Sequence, residues 1–201
     1  MSTIPSLSSL PSNPKVISPT TLAHVVLQTP QLEKMRHFYT TFLGGHVVHS
    51  APFLVFITYD EEHHRIALLS QPHITAKAPS TAGLHHIAFT FPNLSALLTA
   101  YMQRKKHGIE PAWCVNHGPT SSIYYKDPDG NSIETQVDNF ERVEDATEYM
   151  KGPAFEKNPI GVAFVPEEWI ERLRNGESEE ALMQRDDKDL ERTLLEGDVI
   201  V

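Results

Sequence analysis

Two hydrophobic patterns alternate along this chain, and they alternate in the same order twice. Over residues 22–28 the period is two: His24, Val26 and Gln28 fall on one face of a strand and Ala23, Val25 and Leu27 on the other. Thr29 and Pro30 then read as a helix start, a capping hydroxyl before an N1 proline. Leu32, Met35, Phe38, Tyr39, Phe42 and Leu43 follow at helical spacing, and Gly44-Gly45 stops the helix. Strands are predicted near 46–50, 53–59 and 65–70, with the polar run Asp60-Glu61-Glu62-His63 turning the last pair. The plan then repeats. A strand at 84–91 leads to Asn93, which can cap a helix carrying Leu94, Leu97, Leu98, Tyr101 and Met102. Lys105, Lys106 and His107 sit at its negative end, and Gly108 ends it. Strands near 111–115, 121–126 and 131–137 complete the second unit, the last two joined by the turn signal Asp127-Pro128-Asp129-Gly130.

The repetition extends to individual residues. His24, Pro30, Leu32 and Tyr39 return as His86, Pro92, Leu94 and Tyr101, each displaced by 62 positions. One strand–helix–three-strand unit cannot cover its own sheet, so two must pair. The expected fold is α+β: two paired βαβββ modules, 21–70 and 83–138, forming a curved mixed sheet around a shared site. Residues 1–20, rich in Ser and Pro, read as a flexible arm rather than a signal peptide, because no apolar block follows a basic start. Beyond Asp138 the pattern changes. Short helices are expected at 143–150, 166–174 and 177–185, with Pro153 and Pro159 breaking the stretch between. This 139–201 extension is expected to wrap the core or a neighbouring subunit of a homo-oligomer, with a loose end from about Asp186.

Charge refines the division. The net charge of −9 lies wholly in the extension: residues 1–138 hold nine acids and nine Lys/Arg, residues 139–201 seventeen and eight. No basic surface for nucleic acid and no apolar run of membrane-spanning length is present. A single cysteine, Cys114, precludes an internal disulfide and points to a reducing compartment, the cytoplasm. Beside Trp113 in a predicted strand, it reads as a small hydrophobe rather than a nucleophile.

Three residues carry candidate chemistry. His24 and His86 occupy equivalent places in equivalent strands, where packing alone would favour an aliphatic side chain. Glu134 shares a strand face with Ser132 and Gln136, opposite the apolar Ile133 and Val137. Taken singly, each also reads as a hydrogen-bonded core histidine or an exposed strand carboxylate; the repeat and the common face favour a joint role. Two imidazoles and one carboxylate make the facial triad of non-haem Fe(II), which leaves coordination positions open, and Mn(II) accepts the same donors. Aligning 65–69 on 132–136 sets Ala67 where Glu134 stands, so a symmetric four-ligand site is not expected.

These features bring a family into view. The two modules resemble those of the vicinal oxygen chelate superfamily, the glyoxalase/bleomycin resistance/dioxygenase proteins. His117, five residues, Ile123-Tyr124, Asp127-Pro128, Gly130 and Glu134 resemble the signature of small type I extradiol ring-cleavage dioxygenases. Residues 62–68 are similar to the same family's hairpin with its active-site histidine. The resemblance spans about 22–138 and implies His24, His86 and Glu134 as metal ligands, the 62-residue offset choosing His86 over His85. It implies His64 on the dioxygen side and His117 and Tyr124 as hydrogen-bond partners of the substrate oxygens; Tyr124 also reads as inward from its alternation with Ile123 and Tyr125. The implied activity is Fe(II)-dependent opening of a catechol-type ring by O2, beside the diol. The competing readings are a glyoxalase-like metal-dependent isomerase or lyase, which needs no O2, and a small-molecule binding protein, which needs no metal triad.

Overall fold

The structure is a computed structural model in which residues 16–78 and 81–185 are described. The expected arm at 1–20 therefore falls largely outside the described residues, as does the expected loose end from Asp186. The first unit runs β1 (Val25–Gln28), α1 (Leu32–Leu43), β2 (His46–Ala51), β3 (Leu54–Thr58) and β4 (Ile66–Leu69). The second runs β5 (His86–Thr90), α2 (Leu94–Lys106), β6 (Trp113–Asn116), β7 (Thr120–Lys126) and β8 (Ser132–Asp138). Hydrogen bonding divides the strands into two ladders, β1-β4-β3-β2 and β5-β8-β7-β6-β9. In each, the first strand lies parallel to the last and the other contacts within the unit are antiparallel. The paired α+β plan is as the pattern predicts. No helix among the described residues is long and apolar enough to cross a membrane.

Local chemistry explains two of the helix ends. Gly44 closes α1 in the left-handed conformation, φ 62°, where a Cβ would be strained. Asn93 Oδ1 accepts from Ala96 N at 2.8 Å and caps α2 as expected. The start of α1 differs from expectation. The helix begins at Leu32, and Thr29 Oγ1 accepts from Gln31 N at 3.0 Å instead of capping the first turn.

A single buried cluster joins the ladders. Met35, Tyr39 and Phe42 of α1 pack with Leu94, Leu97, Leu98 and Tyr101 of α2 and with Ile57, Leu68, Ile123 and Ile133 from the sheets. Each such side chain contributes roughly 1.5–3 kcal/mol on burial. Polar hooks reinforce the joint. Tyr39 donates to Asp127 Oδ2 at 3.0 Å, Gln31 Nε2 to the Pro128 carbonyl at 2.8 Å, and Arg104 Nε to the Phe42 carbonyl at 2.9 Å.

The extension folds back on the second unit. Its helices α3 (Val143–Met150) and α5 (Pro166–Arg174) match the predicted spans, whereas the last, α6 (Glu179–Met183), is shorter. Two elements were not foreseen: α4 (Pro153–Lys157), which Pro153 opens at N1 instead of breaking, and β9 (Val162–Ala163), which pairs with β6. Glu179 accepts from the backbone N–H groups of Leu94 and Ser95 at 2.9 and 3.0 Å, adding a carboxylate at the positive end of α2.

Candidate active site

The register of the second ladder sets the site. Ala88 lies opposite Glu134, Glu134 opposite Tyr124, and Tyr124 opposite Trp113, so one row of side chains crosses β5, β8, β7 and β6 on a common face. His86 is two residues before Ala88 and shares that face. Its Nε2 lies 3.0 Å from Glu134 Oε2. Tyr124 stacks on Trp113 at 5.3 Å between ring centroids and meets His86 edge-on at 5.6 Å. His117, just past β6, points its Nε2 at the Tyr124 hydroxyl, 3.0 Å away, and its Nδ1 donates to the Ile160 carbonyl. His86, Glu134, Tyr124 and His117 thus form one unbroken line of contacts.

The first ladder presents the matching row as Val26, Ala67, Phe56 and His49. Val26 pairs with Ala67 as Ala88 pairs with Glu134, so the place of the second carboxylate is taken by a methyl group, as the alignment predicted. Phe56 stands where Tyr124 stands and lacks its hydroxyl. His64 is buried, stacked on Phe56 at 4.3 Å and 10°. His24 immediately precedes β1 and is exposed, its ring 4.3 Å from that of His64. Arg65 holds this segment by donating to the carbonyls of Leu22 and Ala23 at 2.8 and 3.0 Å.

Of the predicted residues, then, His86, Glu134, Tyr124 and His117 come together on the second ladder, and His24 and His64 come together on the first. Among the described residues no three His, Cys, Asp or Glu donors are gathered closely enough to grip an ion. His85, which the 62-residue offset passes over, has Nδ1 2.7 Å from Nδ1 of His86.

Electrostatics favour a cation at the polar end. Glu134 is only 5% exposed, and its partners are an imidazole and a phenol, neither of which carries a fixed positive charge. A buried carboxylate so placed is costly without a counter-charge. Nitrogen and carboxylate donors suit a first-row divalent ion, so the residues present fit a metal. Burial, then the nearby Glu134 charge, raises Tyr124 well above the ordinary phenol range and keeps it a proton donor. Burial also holds the His117 imidazole below its usual range, aided by His86 and Arg185 and opposed by the Ile160 carbonyl and Glu134. His64 is lowered by burial, then by His24 and His63, with Glu62 opposing. Cys114 is pushed up to about 12 by burial, then by Glu167, which leaves it an unreactive thiol at neutral pH.

Two contributors were not foreseen. Trp113 forms a wall of the site through its register with Tyr124; a period-two reading alone cannot place one strand against the next. The Ile160 carbonyl is a backbone group from the extension, for which side-chain patterning gives no signal.

Comparison with known proteins agrees with this architecture. The Glyoxalase/Bleomycin resistance protein/Dioxygenase superfamily model matches residues 21–135. Biphenyl-2,3-diol 1,2-dioxygenase 2 of Rhodococcus globerulus is 52% identical over 145 residues, 72% of this chain and 76% of that protein. Biphenyl-2,3-diol 1,2-dioxygenase 3 of the same organism is 46% identical over 166 residues, 82% of this chain and 87% of that protein. The crystal structure of a glyoxylase/bleomycin resistance protein/dioxygenase domain from Frankia sp. EAN1pec superposes with a TM-score of 0.53 at 16% identity, covering 62% of this chain and 96% of that one, a likeness of fold alone.

Proposed function

Because the chain belongs to the glyoxalase/bleomycin resistance protein/dioxygenase superfamily, we propose that it is an Fe(II)-dependent extradiol dioxygenase that opens a catechol-type ring with O2. The names of its relatives put biphenyl-2,3-diol first among substrates. The observation that carries the reading is the contact line His86–Glu134–Tyr124–His117, whose last three members are fixed positions of the ring-cleavage signature. His86 and Glu134, with His24 from just before the equivalent strand of the first unit, are the residues that would hold the metal. When bound, the metal supplies Lewis acidity towards the diol oxygens and a meeting place for both reactants.

The chain's own residues do the rest. The Tyr124 hydroxyl and His117 Nε2 bind and orient the diol oxygens, and His117 Nε2 accepts a proton as the diol ionises. His64, buried against Phe56 on the first ladder, is the imidazole assigned to act on O2. Trp113 and Phe56 wall the aromatic ring from water. Both atoms of O2 enter the product, so no external reductant is needed. Ala67 in place of a second carboxylate speaks against a four-ligand isomerase. The single cysteine supports the reducing cytoplasm as the place of action.

The test is anaerobic loading with Fe(II), then biphenyl-2,3-diol or catechol, then air. One O2 should be consumed per diol, with a yellow ring-opened product. Full iron occupancy with no oxygen uptake on either diol would overturn the reading.

A further inference from the structure

The extension beyond the family-matched region reaches into the site through one turn. The Ile160 carbonyl accepts from His117 Nδ1. A carbonyl oxygen cannot donate, so Nδ1 must carry the hydrogen, and in the neutral ring Nε2 is then left with its lone pair towards Tyr124. A histidine side chain free in water favours the other tautomer, so the choice has to be imposed.

The turn that imposes it is braced from several directions. Asn158 is buried, and its Oδ1 accepts from Ile160 N at 3.1 Å and from Gly161 N at 2.8 Å, while its Nδ2 donates to the Gly161 carbonyl at 2.9 Å. Gly161 adopts φ +119°, and a Cβ there would lie 2.4 Å from the Asn116 carbonyl oxygen. Arg185 is buried too. Its Nη1 donates to the carbonyls of Asn158 and His117 at 2.8 and 3.2 Å and its Nη2 to that of Ala154 at 2.8 Å, tying the turn to the backbone of the histidine. Beyond the turn, Val162 of β9 pairs with Asn116, the residue before His117.

We propose that the 158–161 turn fixes His117 in its Nδ1–H tautomer and so makes Nε2 the proton acceptor of the site, with Asn158, Gly161 and Arg185 as positioning residues. This rests on the role given to His117 above. With the tautomer reversed, Nε2 would present a hydrogen to Tyr124 and could not take a proton from a diol.

The experiment reads the tautomer directly. Long-range 1H–15N spectra of the full chain carrying 15N-histidine, with His117 assigned by its loss in His117→Gln, should show the Nδ1–H pattern. Asn158→Ala should move His117 towards Nε2–H and lower kcat by about 100-fold, with a smaller change in KM. Asn158→Asp, which keeps both accepted bonds, should restore much of each. An Nε2–H pattern in the wild type overturns the proposal, as does an unchanged pattern in a folded Asn158→Ala. If Asn158→Ala does not fold, Arg185→Lys is read in the same way. Nδ1–H in the wild type and a switch in the variant, in a protein that cleaves no diol, would remove the dioxygenase reading and leave this inference standing.

Discussion

Glu134 is flanked on one side by His86 at 3.0 Å and on the other by Tyr124, its register partner. Substitutions at and around this carboxylate have distinct expected results. Glu134→Ala should lower Fe(II) affinity by about 100-fold or more, read by calorimetric titration, because a lost carboxylate costs at least as much as a lost supporting contact. His85→Ala should leave that affinity nearly unchanged. Tyr124→Phe keeps the stack on Trp113 but removes the hydroxyl that faces His117 and Glu134. It should retain iron and lose about 100-fold in kcat. At this scale the sequence was informative where chemistry repeats or alternates: His86 through the offset, Glu134 and Tyr124 through their strand faces. It was silent on Trp113, because register between strands depends on the turn that joins them, and on the Ile160 carbonyl, because a backbone oxygen looks the same at every residue.

The Asp127–Gly130 turn does more than reverse the chain. Asp127 Oδ1 accepts from Asp129 N and Asn131 N at 2.9 and 2.8 Å, and Oδ2 accepts from Asn131 Nδ2 and Tyr39 at 2.9 and 3.0 Å. One carboxylate thus shapes the β7–β8 connection and fastens α1 of the other unit to it. Asp127→Ala should cost about 3 kcal/mol in urea unfolding, since two backbone and two side-chain donors lose a charged acceptor together. Tyr39→Phe should cost about 1 kcal/mol, because Asn131 still serves Oδ2. The repeated tyrosines now have a shared physical reason: Tyr101, the counterpart of Tyr39, also donates to an acid, Glu167 of α5. Elements with a strong period, α2, α3 and α5 among them, were legible nearly to the residue. A two-residue strand such as β9 has no period to read, and Pro153 is equally a breaker and an N1 residue until its neighbours are known.

At the scale of the whole molecule, the extension completes the duplicated core. Glu179 sits at the start of α2, and Glu167 meets Tyr101 and Lys105 from α5. Bonds from Lys105, then Tyr101, lower the Glu167 carboxyl from its ordinary value to about 2. Its folded pKa is depressed, so the stability it contributes is present above the ordinary carboxylate range and is lost as pH falls towards 2. Glu167→Gln should therefore cost most at pH 6, and the gap from wild type should shrink between pH 5 and pH 3, measured by urea midpoints; half-exposure of the pair keeps the gap small. The unequal rows of the two ladders have a last consequence, for regiochemistry. Equal halves would admit an unsymmetrical diol either way round and could break either of two ring bonds. Here the second ladder offers Glu134 and Tyr124 at the positions where the first offers Ala67 and Phe56, so the two orientations differ in energy and a single isomer should predominate among the products.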